Sequence, residues 1–242
     1  MNKQRLKCAR KPIRVLWYII PFMNFLAHAI FADGPDDVVF ASAMGDYIDT
    51  SKSDLPIGIA SGLLFHQGLD TFYDTHPQLS ASRSYLYKKI KGYENFSIDI
   101  CGDYAIAEAW PQLFEGNFED YVAEVEDIIR PRLDYLTTKG QHIANGLLQD
   151  HWLASYTHKE GLERALNRMA DRARRGQLIR DNIPVIFDML PTLQHEVLSI
   201  LPDIRAHSIH HLAELGYEPE LRVRWREGNS FQENINSNGE RQ

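Results

Sequence analysis

Between residues 55 and 77 the apolar positions recur with the period of a helix. Ile57, Ile59, Ala60, Leu63, Leu64, Leu69 and Phe72 predict one long, mostly buried helix. Pro56 suits its first position, with Ser53 or Asp54 as the cap, and Pro77 breaks it. His66, Asp70 and Asp74 fall at i, i+4 and i+8, so they project from roughly one face, one turn apart. An imidazole and a carboxylate so placed can ligate one divalent metal. The same spacing also serves a plain His–Asp hydrogen bond near a helix end.

Helical periodicity runs through the rest of the chain, and no alternating run is longer than a few residues. The expected fold is therefore all-α, a single multi-helix bundle over residues 23–215. Asn24 is placed to cap a first helix carrying Phe25, Leu26, His28, Ala29, Ile30 and Phe31. Asp33-Gly34-Pro35-Asp36 is a turn. Further helices are expected over 38–48 with Asp46 near the end, 77–90, 96–114, 118–136 capped by Asn117, 141–156 and 159–175. The last is expected over 183–215, with breaks near Pro191 and Pro202. The apolar pattern stops at Gly216, and the polar stretch 216–242 reads as a disordered tail.

Charge and composition narrow the picture. A formal net charge of -7 argues against a general nucleic-acid binder. Cys8 and Cys101 form neither a disulfide framework nor a zinc-knuckle spacing, which points to a reducing, cytoplasmic setting. Residues 1–22 differ from the rest. Lys3, Arg5, Lys7, Arg10, Lys11 and Arg14 come with no acidic residue, then a short apolar run over 15–22 that cannot span a bilayer. This extension is expected to lie outside the fold, with Met23 as the natural start.

His28, Asp46, His66 with Asp70, and Asp99 with Asp103 lie on separate apolar helices. Each alone has a structural explanation, such as a satisfied core histidine for His28 or a turn residue for Asp46. Together they matter more, because buried carboxylates are costly unless paired or bound to a cation. Converging His and Asp side chains in a helical bundle are an established way to build a divalent metal site.

Met23-Asn24-Phe25-Leu26-Ala27-His28 resembles the start of the acyl carrier protein phosphodiesterase family, divergent relatives of the HD-type metal phosphohydrolases. The resemblance continues through Met44-Gly45-Asp46-Tyr47-Ile48, the segment from Gly62 to Asp70, Tyr73-Asp74-Thr75-His76-Pro77 and Asp99-Ile100-Cys101-Gly102-Asp103. Trp152-Leu153-Ala154-Ser155-Tyr156 and Leu166-Asn167-Arg168-Met169-Ala170 match its second half. The resemblance implies an HD-like helical bundle and a manganese-type phosphodiesterase that removes 4'-phosphopantetheine from the serine of holo acyl carrier protein. It implies metal ligands drawn from His28, Asp46, His66, Asp70 and Asp103. Asp46 and Asp74 would be the catalytic carboxylates, Asp74 sitting behind the ligands or acting on a proton. An acidic carrier protein would need a basic landing site, and Arg83, Lys88, Lys89 and Lys91 are one candidate, Arg164 and Arg168 another. Both are equally readable as solvated helix faces.

The chain departs from the family pattern in four places. Asp103-Tyr104 stands where Asp-His is common, and His66-Gln67 where His-Arg is common. Ala41-Ser42 replaces a Gly-Asn pair, and an arginine after the second-helix carboxylate is replaced near Asp49. The departures leave two alternatives open: a phosphohydrolase with another phosphoester substrate, and a non-catalytic protein that binds the carrier.

Overall fold

The computed structural model describes residues 25–226. The extension at 1–22, the start at Met23, the Asn24 cap and everything past Arg226 lie outside the described residues. Ten α-helices follow one another: α1 (Phe25–Phe31), α2 (Asp36–Ala43), α3 (Ile57–Thr75), α4 (Ser80–Ile90), α5 (Glu94–Glu108), α6 (Trp110–Leu113), α7 (Phe118–Ile129), α8 (Thr138–Gln149), α9 (Lys159–Arg172) and α10 (Gly176–Glu214). Among the described residues there is no strand, only the isolated bridges Ile48–Leu136 and Phe114–Trp225. The all-α expectation holds.

Every residue of α1 is buried, so this short helix is wrapped by the rest of the bundle. Its first amides cannot reach water, and they are satisfied instead by α5. Asp103 accepts from the backbone N–H of Leu26 at 3.1 Å and of Ala27 at 2.9 Å. α2 packs on α3 at close range. A Cβ at Gly62 would lie 2.5 Å from the carbonyl oxygen of Val38, so only glycine permits this approach.

Several boundaries differ from the sequence expectation, each for a local reason. α2 stops at Ala43 rather than 48, and Gly45–Tyr47 form a 3-10 turn. That turn presses Gly45 against His66, whose ring a Cβ would meet at 2.5 Å. Pro56 precedes α3 rather than opening it. Its ψ of 147° is extended, and neither Ser53 nor Asp54 caps the helix. The segment 96–114 is two helices, because Pro111 has no N–H to continue the ladder. Asn117 does cap α7, accepting from Asp120 N–H at 3.1 Å, but Pro131 turns the chain into a 3-10 stretch over Arg130–Tyr135.

The larger difference is α10, which runs 39 residues without a break through Pro184, Pro191 and Pro202. At 1.5 Å per residue it is about 58 Å long. The three prolines are spaced by 7 and 11 residues, which places them within about 20° of one another on the solvent side. There the freed carbonyls can bond to water. The opposite side buries Ile179, Ile183, Ile186, Leu190, Leu193, Val197, Ile200, Ile204 and Leu212. Each buried side chain contributes about 1.5–3 kcal/mol, which outweighs about 3 kcal/mol per interior proline.

The stretch after Gly216, expected to be tail, packs back onto the bundle as far as Arg226. Asp33 accepts from the amides of Leu221 and Arg222 at 3.1 and 3.0 Å. The Arg222 guanidinium reaches Asp36, Glu124 and Glu220, each at 2.7 Å. Val223 is buried, and Trp225 packs on Phe114 and Phe31. Leu221, Val223 and Trp225 alternate with Arg222, Arg224 and Arg226, a period-2 run too short to place a strap whose partners lie far away in sequence.

Candidate metal centre

α1 supplies His28, the turn after α2 supplies Asp46, and α3 supplies His66 and Asp70. His28, His66 and Asp70 bring one ligand atom each to within 4.8 Å of one another. His28 Nε2 lies 2.9 Å from Asp70 Oδ1, and His66 Nε2 lies 3.1 Å from Asp70 Oδ2. Asp46 Oδ1 stands 3.6 Å from His66 Nε2. The imidazoles form a buried floor, while the Asp70 side chain is 44% exposed and forms the rim with Asp46.

The far sides of the two rings decide where their protons sit. His66 Nδ1 faces the Ser42 carbonyl oxygen at 3.0 Å, an acceptor, so Nδ1 carries a proton. His28 Nδ1 lies 3.1 Å from that same His66 Nδ1 and 3.3 Å from Ser42 Oγ, which gives its own proton to the His28 carbonyl at 3.1 Å. Two N–H groups do not face each other at that distance, so His28 Nδ1 is an acceptor and His28 donates from Nε2 to Asp70 Oδ1. His66 Nε2 faces Asp70 Oδ2 and Asp46 Oδ1, where a proton or a cation offsets the two carboxylates. The two Nε2 atoms and Asp70 converge as a His–His–Asp donor set that suits a first-row cation, whose binding requires the His28 proton to leave Nε2. The residues present therefore fit a metal.

The electrostatics agree. Burial and the neighbouring His66 hold His28 below its ordinary pKa. Burial also pulls His66 down, but Asp70 and Asp46 raise it further, so its net shift is upward. Burial would raise Asp70, yet the two imidazoles hold it below the usual carboxylate range.

Asp103 does not join this group. Both its carboxylate oxygens are taken by the first amides of α1, and burial pushes its pKa up to about 8 against those two bonds. It positions His28 by anchoring the helix that carries it. Asp74 lies one turn beyond Asp70, and burial, then the Asp70 charge, raise it to about 6. Asp99, outside the expected ligand set, is raised well above normal by burial and by the charges of Asp74, Asp70, Asp103 and Asp46. Its i, i+4 spacing with Asp103 on α5 was the available signal. Ser42, counted as a departure from the family pattern, orients both imidazoles. Tyr104 points elsewhere: its hydroxyl donates to Glu108 at 3.1 Å.

The expected landing residues separate into two kinds. Arg83 is an internal clamp, donating to Asn95 Oδ1 at 2.9 Å and to the Tyr73 carbonyl at 3.1 Å, so it is not free to land a partner. Arg168 lies over the Trp152 ring at 4.3 Å, 4.0 Å from Asp150. Arg164 shares its face of α9 with Glu160, Glu163 and Asp171. Lys88, Lys89 and Lys91 are exposed.

Fold and site together define an all-helical protein in which two histidines and an aspartate converge with the donors a divalent cation would need. The chain belongs to the acyl carrier protein phosphodiesterase family, whose model matches residues 23–204. It is 23% identical over 190 residues to an acyl carrier protein phosphodiesterase of Yersinia pestis, covering 78% of this chain and 98% of that one. A Klebsiella pneumoniae protein of the same name is 25% identical over 162 residues, covering 66% and 84%. One from Escherichia coli is 22% identical over the same length and shares. No solved structure matches the chain. Among the described residues no helix is long and apolar enough to cross a membrane.

Proposed function

We propose that this protein is a metal-dependent phosphodiesterase that hydrolyses 4'-phosphopantetheine from the serine of holo acyl carrier protein, with manganese as the cation. The observation that carries the reading is the convergence of the ligand atoms of His28, His66 and Asp70 in a chain of this family. A divalent cation held there polarises phosphoryl oxygens and makes a nucleophile available at neutral pH. The chain's own residues do the rest. Ser42 fixes both ring orientations. Asp46 and Asp70 face solvent, where a phosphodiester can approach. Asp74, with a pKa of about 6, is poised to take or give a proton near neutrality.

The test is incubation of the protein with holo acyl carrier protein, with manganese and with chelator, read by intact mass. Loss of the phosphopantetheine mass only with manganese is expected, and Asp70→Ala should abolish it. Metal binding without that loss would move the reading to another phosphoester. Neither metal binding nor loss would leave a binding protein.

A further inference from the structure

The exposed face of α4 is unlike the rest of this acidic chain. From Pro77 to Tyr93 the sequence holds Arg83, Lys88, Lys89 and Lys91 and no acidic residue, against a net charge of -7 for the whole. Leu86 and Ile90 bury one side of α4. Tyr85 and Tyr87, each 45% exposed, and the three lysines fan across the other. Lys89 Nζ sits 5.8 Å from the centre of the Tyr85 ring, and Lys91 Nζ 5.4 Å from that of Tyr87. Among the described residues no carboxylate pairs with these lysines. Their positive charge therefore faces outward, on stems ordered against aromatic rings.

The face is also tied to the candidate centre. Arg83, on the inner side of α4, bonds the Tyr73 carbonyl of α3, three residues beyond Asp70. Lys89 lies six residues further along α4, a rise of about 9 Å. The Arg83 bond thus holds α4 against the end of the helix that carries Asp70. The competing basic helix, α9, lacks these properties. Its arginines alternate with acids, Asp171 is paired with Arg180, and Arg168 is packed on Trp152.

We infer that the Tyr85–Tyr87–Lys88–Lys89–Lys91 face of α4 is the docking surface for an acidic helical protein, which under the function proposed above is the carrier domain of the substrate. The lysines supply charge complementarity and the tyrosines apolar contact area, the mix that protein interfaces favour. The inference rests on that reading for the identity of the partner, but its test does not depend on turnover.

The experiment measures binding of fluorescently labelled holo carrier protein by anisotropy, in chelator, to the full chain and to a Lys88→Glu/Lys89→Glu/Lys91→Glu variant. Thermal melting checks that the exposed substitutions leave the fold in place. The variant is expected to bind at least tenfold more weakly. Wild-type affinity should fall with added salt, while that of the variant stays nearly flat. Unchanged affinity in the variant overturns the inference, as does a larger loss in an Arg164→Glu control. Loss of binding to anionic lipid vesicles with carrier binding intact would also overturn it, by assigning the face to a membrane. If carrier binds through α4 yet no phosphodiester is cleaved with manganese, the hydrolytic reading falls while the docking surface stands.

Discussion

Gly45 and Asp70 show how few atoms the candidate centre depends on. Asp70 engages both imidazoles with its two oxygens, and Gly45 keeps the backbone of the preceding turn flush against the His66 ring. The missing side chain is what lets Asp46 come within 3.6 Å of the same nitrogen. Gly45→Ala puts a methyl group where the His66 ring lies, at 2.5 Å. The ring or the turn must move, and a displacement near 1 Å at a catalytic constellation costs on the order of 100-fold. The expected result is a loss of that size in manganese-dependent turnover, with circular dichroism unchanged. Full activity in this variant would show that the Gly45–His66 contact does not set the geometry. The sequence pointed to this region through His66 and Asp70, because a one-turn spacing on a strongly periodic helix fixes their shared face. Asp103, expected among the ligands, has both its oxygens on the first amides of α1. Spacing along α5 says that Asp99 and Asp103 share a face, but not which atoms that face meets. Here it meets the naked amides of α1.

The elements were legible where the period was long, as with α3, and where a cap was local, as with the Asn117 cap of α7. They were not legible where burial overrides propensity. α10 is the clearest case, since each proline is a helix breaker by rule and the sequence gives no direct view of the seam opposite. Because all three prolines sit on the solvent side, their cost is local: one absent N–H and one crowded carbonyl each. Pro191→Ala restores that bond without touching the buried seam. It is expected to stabilise the protein by about 1–3 kcal/mol, less the entropy the flexible unfolded chain regains. Urea unfolding followed by circular dichroism reads this directly. A destabilised variant would mean that the proline shapes a bend on which the packing of α10 against α3 and α5 depends. The strap over 217–226 was missed by the same blindness to tertiary contact, as its order comes from Arg222 and Trp225 meeting partners far away in sequence.

At the scale of the whole molecule, the centre joins α1, the turn after α2, and α3, so a cation bound there holds three separately formed elements together. Binding to the folded state alone adds RT ln(1 + [L]/Kd), about 2.7 kcal/mol at a hundredfold excess over Kd. Manganese should therefore raise the melting temperature, and chelator should remove the gain. The size of the gain depends on pH, because protons compete with the cation for the same nitrogens. His66 has a folded-state pKa above its ordinary value: burial lowers it, and Asp70 with Asp46 raise it by more. In the metal-free protein a group raised in this way contributes stability that is fully present below its unfolded pKa of about 6.5 and is lost as pH rises through the folded value. His28 is shifted the other way by burial and by His66, so the metal-free protein loses its contribution as pH falls below about 6.5. Both imidazoles must be neutral to bind a cation, so acid opposes binding at each of them. The manganese-induced rise in melting temperature is thus expected to be larger at pH 8 than at pH 6, and to vanish at both values in Asp70→Ala. A rise of equal size at the two pH values would show that the ion binds without displacing a proton, and would place it somewhere other than between His28, His66 and Asp70.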